Sequence, residues 1–297
     1  MKEVVVISGK GGTGKTSLTS SFSFLGGKSL VIGDCDVDAD DMHLLLKPDY
    51  KESKSFFSGF IAEIDSTKCL NCGICFEKCR FKAISKQEGV FKINGIDCEG
   101  CGYCKRICSA DAITIKDAEV GSVYKSNIKT GAVMVHARLK PGADNSGKLV
   151  AQVKKDARDV ANKFGKDLIL IDGSPGIGCP VVSSLTGANY VILVTEPTPS
   201  GYHDLKRVYE VVKKFKIKAG LIINKSDLNQ KIASELEKYA NSESINLIGK
   251  LSYDEDFSKA ITNGITAAEY QEGNIQKEVK KLWETAKKYI YTDKENI

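Results

Sequence analysis

Short, almost purely apolar runs recur along the chain, and the segments between them repeat their apolar positions every three to four residues. Runs that are apolar throughout are typical of strands buried on both faces of a sheet. Segments such as KLVAQVKKDARDVANKF have the spacing of helices that cover such a sheet. The pattern predicts a doubly wound, mainly parallel α/β sheet with helices on both faces. The predicted strands include VVVIS, LVIGD, AVMVHARL, LILID, YVILVTE and GLIIN.

This alternation stops between residues 61 and 118. The segment contains many glycines, short apolar stretches and eight of the ten cysteines, and it has no long helical pattern. Because strands and helices resume after it, the segment is predicted to be an insertion into an α/β domain that is continuous in space. The predicted organisation is one discontinuous domain, residues 1–60 and 119–297, and one inserted domain, residues 61–118.

The composition limits the possible functions. Hydrophobic residues make up 42% of the chain and charged residues 27%, as in an ordinary globular protein. The formal net charge of +5 comes from scattered basic residues, so we expect no nucleic-acid partner. No apolar run approaches the roughly 20 residues of a membrane span, and no secretory signal precedes the first strand. We therefore expect a cytoplasmic protein, in which reduced thiols serve metal or redox chemistry.

A phosphate-binding loop follows the first predicted strand. Residues 9–16 read GKGGTGKT and fit G-x-x-x-x-G-K-[ST] between a strand and a helix, which is the context this motif requires. The glycines let backbone N–H groups surround phosphates, and the helix N-terminus adds positive charge. Lys15 is predicted to neutralise the β- and γ-phosphates and Thr16 to ligate Mg²⁺. The predicted nucleotide-binding residues here are Gly9, Lys10, Gly11, Gly12, Thr13, Gly14, Lys15, Thr16 and Ser17.

The form K-G-G-x-G-K-T, which begins at Lys10, resembles the phosphate loop of the MinD/ParA superfamily of P-loop ATPases. That superfamily includes the nitrogenase iron protein and the Mrp-type iron–sulfur carriers, and its early lysine reaches the partner's phosphates in a nucleotide-sandwich dimer. The resemblance implies a homodimer in the ATP state, with Lys10 supplying charge in trans. It covers nearly the whole chain apart from residues 119–150.

Two further segments resemble the switches of the same superfamily. In LVIGDCDVDADD, Asp36 matches the aspartate that positions or deprotonates the attacking water, with Asp34 and Asp40 as weaker candidates. A solvated acidic turn is the alternative, and it fits poorly directly after a buried strand. In LILIDGSPGIG, Asp172 resembles the Walker B aspartate that holds Mg²⁺ through water, and Gly176 is expected to donate its N–H to the γ-phosphate. The residues predicted to take part in hydrolysis are Lys10, Lys15, Asp36 and Asp172.

Two readings are open for base recognition. The tetrapeptide NKSD at the end of GLIIN matches the N-K-x-D motif of GTPases, but MinD-type families also carry an Asn there in contact with adenine. The form of the phosphate loop favours ATP, so Asn224 is predicted to contact adenine. GTP is the alternative.

The cysteines form two runs of identical spacing, C-x₂-C-x₂-C-x₃-C, at residues 69–79 and 98–108. Two such runs in tandem resemble a bacterial-type ferredoxin with two [4Fe–4S] clusters, in which the fourth cysteine of each run ligates the other cluster. The proline that normally follows the fourth cysteine is replaced by Arg80 and Ser109. Zinc fits this spacing poorly. The predicted ligands are Cys69, Cys72, Cys75 and Cys108 for cluster one, and Cys98, Cys101, Cys104 and Cys79 for cluster two.

Two other features have structural interpretations. Cys35 and Cys179 are predicted to be small residues near the sheet. The alternative for Cys179 is a cluster ligand, because its position resembles that of a ligand to the bridging cluster of the nitrogenase iron protein. The stretch NIQKEVKKLWETAKKYIY carries an apolar stripe opposite its lysines and is predicted to pack on the sheet, whereas membrane binding, as by the terminal helix of MinD, is the alternative. The stripe consists of Ile275, Val279, Leu282, Trp283, Ala286 and Ile290.

The sequence thus predicts a P-loop ATPase with an inserted ferredoxin-like α+β domain, using ATP, Mg²⁺ and two [4Fe–4S] clusters. The preferred function is a slow ATPase whose nucleotide cycle controls electron transfer with an unknown redox protein. One alternative is an ATPase that assembles or delivers clusters, although two complete four-cysteine sets indicate permanent sites. The other is a redox-sensing switch whose nucleotide-dependent dimer recruits a partner.

Overall fold

The computed structural model describes residues 1–39, 41–271 and 273–292. Asp40, one of the weaker candidates in the first switch, lies outside the described residues. In chain order the elements are β1 (Lys2–Ser8), α1 (Lys15–Gly26), a 3₁₀ turn (Gly27–Ser29), β2 (Leu30–Asp34), α2 (Met42–Leu46), β3 (Glu52–Ile64), α3 (Ile74–Lys78), β4 (Ile84–Gln87), β5 (Val90–Ile93), α4 (Tyr103–Arg106), β6 (Ile113–Asn127), β7 (Val133–Leu139), α5 (Ser146–Lys163), β8 (Leu168–Asp172), α6 (Cys179–Leu185), β9 (Tyr190–Thr195), α7 (Pro199–Lys214), β10 (Lys218–Ile223), α8 (Gln230–Ser242), β11 (Asn246–Lys250), α9 (Glu255–Thr262) and α10 (Ile275–Tyr291).

The chain divides into two compact units. Unit 1 comprises Met1–Lys54, Val123–Arg138 and the chain from Ser146 onward, and unit 2 comprises Ser55–Ser122 and Leu139–Asn145. Unit 2 therefore contains the predicted insertion, residues 61–118, extends beyond it on both sides and adds a short second segment. The chain enters unit 2 along β3 and leaves it along β6, and it enters again after β7.

A mainly parallel sheet confirms the α/β fold class. The strand order is β11-β10-β9-β1-β8-β2-β7-β6-β3, and β1, β2, β8, β9 and β10 all pair in parallel with their neighbours. Asp34 at the end of β2 lies opposite Asp172 at the end of β8, and Ser8 at the end of β1 lies opposite Val194 in β9. Because parallel strands end at one edge, the loops that follow these strands meet there.

The C-terminal helix α10 packs on the sheet of unit 1. All six residues of the predicted apolar stripe are buried in one core cluster with residues of β1 and α1. Trp283 stacks on Phe22 with 5.1 Å between ring centroids. The packing prediction for this helix is confirmed. No helix in the described part of the chain is both long and apolar enough to span a membrane.

The long strands β3 and β6 are not among the predicted strands. Their sequences, ESKSFFSGFIAEI and ITIKDAEVGSVYKSN, mix polar and apolar residues, and most of β3 is exposed. A strand that covers little apolar surface lacks the run or the alternation by which a strand is recognised.

Candidate nucleotide and cysteine sites

Eight of the eleven predicted nucleotide-binding residues, residues 11–17 and Asn224, line one cavity of about 530 Å³ at the carboxyl edge of the unit 1 sheet, whereas Gly9, Lys10 and Gly176 are not among its lining residues. This volume lies within the range of ordinary cofactor pockets, roughly 300–1,000 Å³. The phosphate loop and Asp36 form one side, and Asn224 with Tyr253 and Phe257 forms another. The loop before α9 was not recognised as part of the site from the sequence, although it follows strand β11 at the same edge.

Lys15 lies at the centre of a buried charge cluster. Its Nζ is 2.8 Å from Asp172 Oδ2 and 3.3 Å from Asp36 Oδ2. Thr16 donates its hydroxyl to the same Asp172 oxygen at 2.7 Å, while Thr19 donates to the other oxygen at 2.8 Å. The structure thus brings together the phosphate-loop lysine, the predicted magnesium ligands and the predicted water-positioning aspartate. Thr19 was missed, although its position one turn after Thr16 on α1 places it on the same helical face.

The charges in this cluster change the ionisation of its members. Burial alone would lower the pKa of Lys15, but the carboxylates of Asp172 and Asp36 outweigh it and raise that pKa above 10.5. Burial, opposed by Lys15 and reinforced by Asp172, raises the pKa of Asp36 above 3.8. An ionised Asp36 is therefore held in a place that does not favour its charge, which is common among residues that act in chemistry.

Asp36→Asn is expected to stabilise the nucleotide-free protein while slowing ATP hydrolysis by about 10²- to 10⁴-fold. The amide removes a charge that the fold disfavours, so the free energy of unfolding rises. This gain is present above the raised pKa of Asp36 and disappears as the pH falls toward 3.8, because wild-type Asp36 is then also neutral. Thermal denaturation across this pH range and an ATPase assay measure both effects.

Asp38→Asn is the matched control, because Asp38 lies in the same segment with its side chain exposed. It should change neither stability nor turnover. A lower melting temperature for Asp36→Asn, or unchanged hydrolysis, would refute the role given to Asp36.

Hydrogen bonds connect the second switch to the end of β1 and to the first switch. The N–H of Gly176 donates to the carbonyl of Ser8 at 2.9 Å, and Gly176 has a φ of 87°. Ser174 donates its hydroxyl to the carbonyl of Cys35 at 2.7 Å. For Gly176 to donate to a γ-phosphate, its bond to Ser8 must open. Because few residues other than glycine adopt this φ, the position is suited to such a change.

Lys10 is held within its own chain by Glu196, at the end of β9. Its Nζ lies 2.6 Å from Glu196 Oε1 and donates to Ser200 Oγ at 3.1 Å. Lys225 also pairs with Glu196, at 3.3 Å. Burial would raise the pKa of Glu196, but hydrogen bonds from Lys10 and Lys225 outweigh it and keep the pKa below its usual value. Glu196 was not predicted from the sequence.

Asn224 supports the phosphate loop from the end of β10. Its side-chain amide donates to the carbonyl of Thr13 at 2.9 Å. Asp227, the last residue of the N-K-x-D match, accepts the backbone N–H of Tyr253 at 2.6 Å through Oδ1. That oxygen is thus engaged in holding the loop after β11.

The two cysteine runs of unit 2 have the same backbone conformation. Each residue of the first run corresponds to the residue 29 positions later, as Cys98 does to Cys69. Asn71 and Gly100 have φ of 53° and 60°, and Gly73 and Gly102 have φ of 79° and 73°. A side chain at Gly100 would also overlap the backbone of Phe60. The repeated spacing therefore corresponds to a repeat in the backbone structure, in which the chain of each run folds around its cysteines.

Two cavities in unit 2 take their cysteines from both runs. One, of about 360 Å³, and the other, of about 20 Å³, are both bordered by Cys75. The other cysteines that line the larger cavity are Cys98, Cys101, Cys104 and Cys79. The other cysteines that line the smaller cavity are Cys69, Cys72 and Cys108. In each case three cysteines of one run meet the fourth cysteine of the other.

The ionisation of the central thiols reflects the same grouping. Burial raises the pKa of Cys75, and its neighbours Cys69, Cys108 and Cys72 act in the same direction. Burial likewise raises the pKa of Cys104, reinforced by Cys98, Cys101 and Cys75.

Across the described residues, no group of three or more His, Cys, Asp or Glu side chains has the arrangement that holds a metal ion.

The two remaining cysteines differ from each other. Cys35 is fully buried after β2, and burial raises its pKa well above the usual range. This agrees with the predicted packing role. Cys179 is instead exposed at the start of α6, so a packing role does not describe it. The exposure follows from its place in a helical first turn directly after the glycine-rich second switch.

Known proteins resemble this chain in sequence and in fold. The family described as CobQ/CobB/MinD/ParA nucleotide binding domain matches residues 4–267. Uncharacterized protein MJ0578 of Methanocaldococcus jannaschii is 32% identical over 290 residues, which is 97% of each chain. The MinD protein of Pyrococcus horikoshii, solved with Mg-ADP, gives a TM-score of 0.59 at 19% identity over 99% of both chains. A Cyanothece McdA variant solved with ATP gives 0.58 at 13% identity, over 97% of this chain and 96% of that one. The structural likenesses concern the fold alone.

Proposed function

We propose a function on the premise that this chain belongs to the CobQ/CobB/MinD/ParA family of nucleotide-binding proteins, as the match over residues 4–267 shows. The proposed function of this chain is that of a Mg²⁺-dependent ATPase with two [4Fe–4S] clusters, whose nucleotide cycle controls electron transfer with a redox protein. The main support for this proposal is that a chain with this phosphate loop also has two cysteine-lined sites, and that each site combines three cysteines of one run with the fourth cysteine of the other.

The nucleotide part rests on the carboxyl edge of the unit 1 sheet. Lys15 would neutralise the phosphates, and Thr16 with Asp172 would hold Mg²⁺, since both already converge on one point at 2.7 Å. Asp36 borders the same cavity and would orient the attacking water. ATP is preferred over GTP because one oxygen of Asp227, which would have to read guanine, is engaged by the Tyr253 N–H.

The dimer of the ATP state would depend on the release of Lys10. In trans, this lysine must leave Glu196, Thr198 and Ser200, which hold it at 2.6–3.4 Å. A contact that opposes dimer formation in the free chain reduces the apparent affinity of the subunits for each other. Glu196 therefore opposes dimerisation, because it holds Lys10 within its own chain.

Glu196→Gln is expected to strengthen ATP-dependent dimerisation about five-fold, because the charge that retains Lys10 is lost while the shape of the side chain is kept. Sedimentation velocity with ATP, in an Asp36→Asn background that slows hydrolysis, measures the dimer dissociation constant. Glu237→Gln is the control, since Glu237 pairs with Lys250 at 2.7 Å on α8. The role given to Glu196 would be refuted if the Asp36→Asn protein and its Glu196→Gln and Glu237→Gln derivatives had equal dimer dissociation constants, or if the Glu196→Gln derivative formed the weaker dimer.

The residues of the two cysteine sites fit [4Fe–4S] clusters. All eight protein donors are thiols, and repeated left-handed turns at Asn71, Gly73, Gly100 and Gly102 wrap the backbone around them. A cubane binds four thiolates through four separate irons, so its ligands do not converge on one ion as they do around zinc. Cys69, Cys72, Cys75 and Cys108 would hold one cluster, and Cys98, Cys101, Cys104 and Cys79 the other. When bound, each cluster would supply a one-electron redox couple.

The first switch is connected to unit 2 along the chain, and the second switch through a contact between α6 and α5; both connections support control by nucleotide. The first switch leads through α2 into β3, which continues into unit 2. The second switch leads into α6, and a Cβ at Gly147 in α5 would lie only 3.2 Å from the Cβ of Cys179 there. Gly147 is the second residue after the unit 2 segment Leu139–Asn145. A movement of the first switch thus has a short path along the chain to unit 2, and a movement of the second switch has one through the contact of α6 with α5.

Anaerobic purification tests the cofactor part of this proposal. The protein should contain about eight iron and eight sulfide per chain and, when reduced, give the electron paramagnetic resonance signal of two interacting [4Fe–4S] clusters. It should also hydrolyse ATP in the presence of Mg²⁺. A colourless protein that binds zinc or no metal at these thiols would overturn the proposal.

Delivery of clusters to another protein is the second candidate function. One observation favours it, because Cys72 and Cys101 are exposed and could exchange ligands with an acceptor. Incubation of the loaded protein with an apo-ferredoxin and ATP distinguishes the two functions. Under electron transfer the iron stays with this chain, whereas under delivery it moves to the acceptor.

A further inference from the structure

The two structurally equivalent cysteine sites of unit 2 differ in charge. The loop around Cys79, residues 78–82, reads KCRFK and carries three basic residues and no acidic one. The equivalent loop around Cys108, residues 107–111, reads ICSAD and carries one acidic residue and no basic one. The backbones match closely, since Cys79 N donates to Phe76 O and Cys108 N donates to Lys105 O at 3.4 and 3.3 Å. The two loops thus have the same backbone conformation but opposite charge.

This charge lies at the mouth of only one cavity. Lys78, Arg80 and Phe81 line the larger cavity, together with Cys79 and its three partners. Glu99 is the acidic residue among its lining side chains. The smaller cavity is lined by apolar and small residues besides its cysteines, such as Leu70, Ile107 and Ala110, and by no charged side chain.

Exposed aromatic side chains line the same cavity as two of these basic residues. Phe81 is 45% exposed and Tyr103, also in the cavity wall, is 48% exposed. Lys105 and Arg106 at the end of α4 are exposed as well. Aromatic residues at the centre of a patch with charged residues around it are typical of a protein interface, in which the charges guide and orient the partner.

We propose that this face of unit 2, formed by Lys78, Arg80, Phe81, Lys82 and Tyr103, is the docking surface for an acidic electron-transfer protein. The inference rests on the proposed function, because it assigns a partner to one of the two cysteine sites. Three positive charges within five residues favour an acidic partner over a basic one. The equivalent loop of the Cys69–Cys72–Cys75–Cys108 site carries no basic residue, so this site is not the docking site for that partner.

The test replaces the basic loop by the residues that the fold itself tolerates at the equivalent positions. Arg80→Ser with Lys82→Asp copies Ser109 and Asp111 of the other half, so the backbone should be unaffected. Lys116→Ser with Lys68→Asp is the matched control, because it makes the same change in charge elsewhere in unit 2. Lys68 lies next to Cys69, and both control lysines are more than 60% exposed.

The probe is an acidic two-cluster ferredoxin, and its dissociation constant is measured by calorimetry with the anaerobically purified, iron-containing protein at low and high salt. The wild type should bind it more weakly as salt increases. The Arg80→Ser, Lys82→Asp variant should bind about ten-fold more weakly at low salt and show little salt dependence, while the control binds as the wild type does.

Three results would overturn the inference: no binding by the iron-containing wild type, equal losses in both variants, or tighter binding of a basic cytochrome than of the acidic ferredoxin. Iron analysis of the same samples separates this failure from failure of the proposed function. Iron without binding refutes only the docking surface, whereas absence of iron refutes the clusters and the docking surface together.

Discussion

Replacement of Cys108 by alanine is expected to remove about half of the iron, and the cluster lost is the one whose other ligands lie in the first run. The reason is that Cys108 lines the cavity of Cys69, Cys72 and Cys75, not the cavity of its own run. Cys79→Ala should equally remove the cluster of the second run. Iron and sulfide analysis per chain, with electron paramagnetic resonance spectra of the reduced protein, measures the loss.

Double variants separate this crossed arrangement from one in which each run binds its own cluster. With crossed ligands, Cys79→Ala and Cys98→Ala affect the same site, so the double variant keeps about four iron. Cys108→Ala with Cys98→Ala affects both sites and should leave almost none. If the first double variant loses all iron and the second keeps half, the ligands are not crossed.

Lys15→Ala is expected to reduce ATP hydrolysis about a thousand-fold, because it removes the positive charge that faces the phosphates. The same variant should lower the free energy of unfolding by about 3 to 5 kcal/mol, since Asp172 is fully buried and would lose its paired charge. Hydrolysis and chemical denaturation at pH 7 measure the two effects separately.

Lys15→Arg is the matched variant, because it keeps the charge but presents a larger, planar group to the phosphates. It should recover most of the stability and little of the activity. Equal activity in Lys15→Ala and the wild type would show that the phosphate loop does not serve ATP hydrolysis here. Unchanged stability would show that Asp172 does not depend on Lys15.

Local patterns in the sequence predicted the loop that lines the cavity of unit 1 and the packing of the C-terminal helix. The phosphate loop is a contiguous motif between strand and helix, and the stripe that contains Trp283 repeats within one helix. Such features depend on neighbours in the chain, so their physical meaning is visible without tertiary structure.

Features that depend on contacts between distant residues could not be predicted. Glu196 meets Lys10 although 186 residues separate them in the chain. Its place directly after β9 was a usable signal, because functional side chains collect where parallel strands end. The segment Leu139–Asn145 belongs to unit 2, and neither its composition nor its pattern differs enough from a connecting loop to indicate that. Most of strand β3 is exposed, and its apolar periodicity is weak.

The control of electron transfer by nucleotide is the central claim, and stopped-flow spectroscopy of the reduced protein tests it most directly. The protein, with its iron content established, is mixed with an oxidised two-cluster ferredoxin, with and without Mg-ATP, and compared with Lys15→Arg. Mg-ATP is expected to change the rate of electron transfer in the wild type and to have no effect in the variant. Rates that are the same with and without Mg-ATP would contradict it.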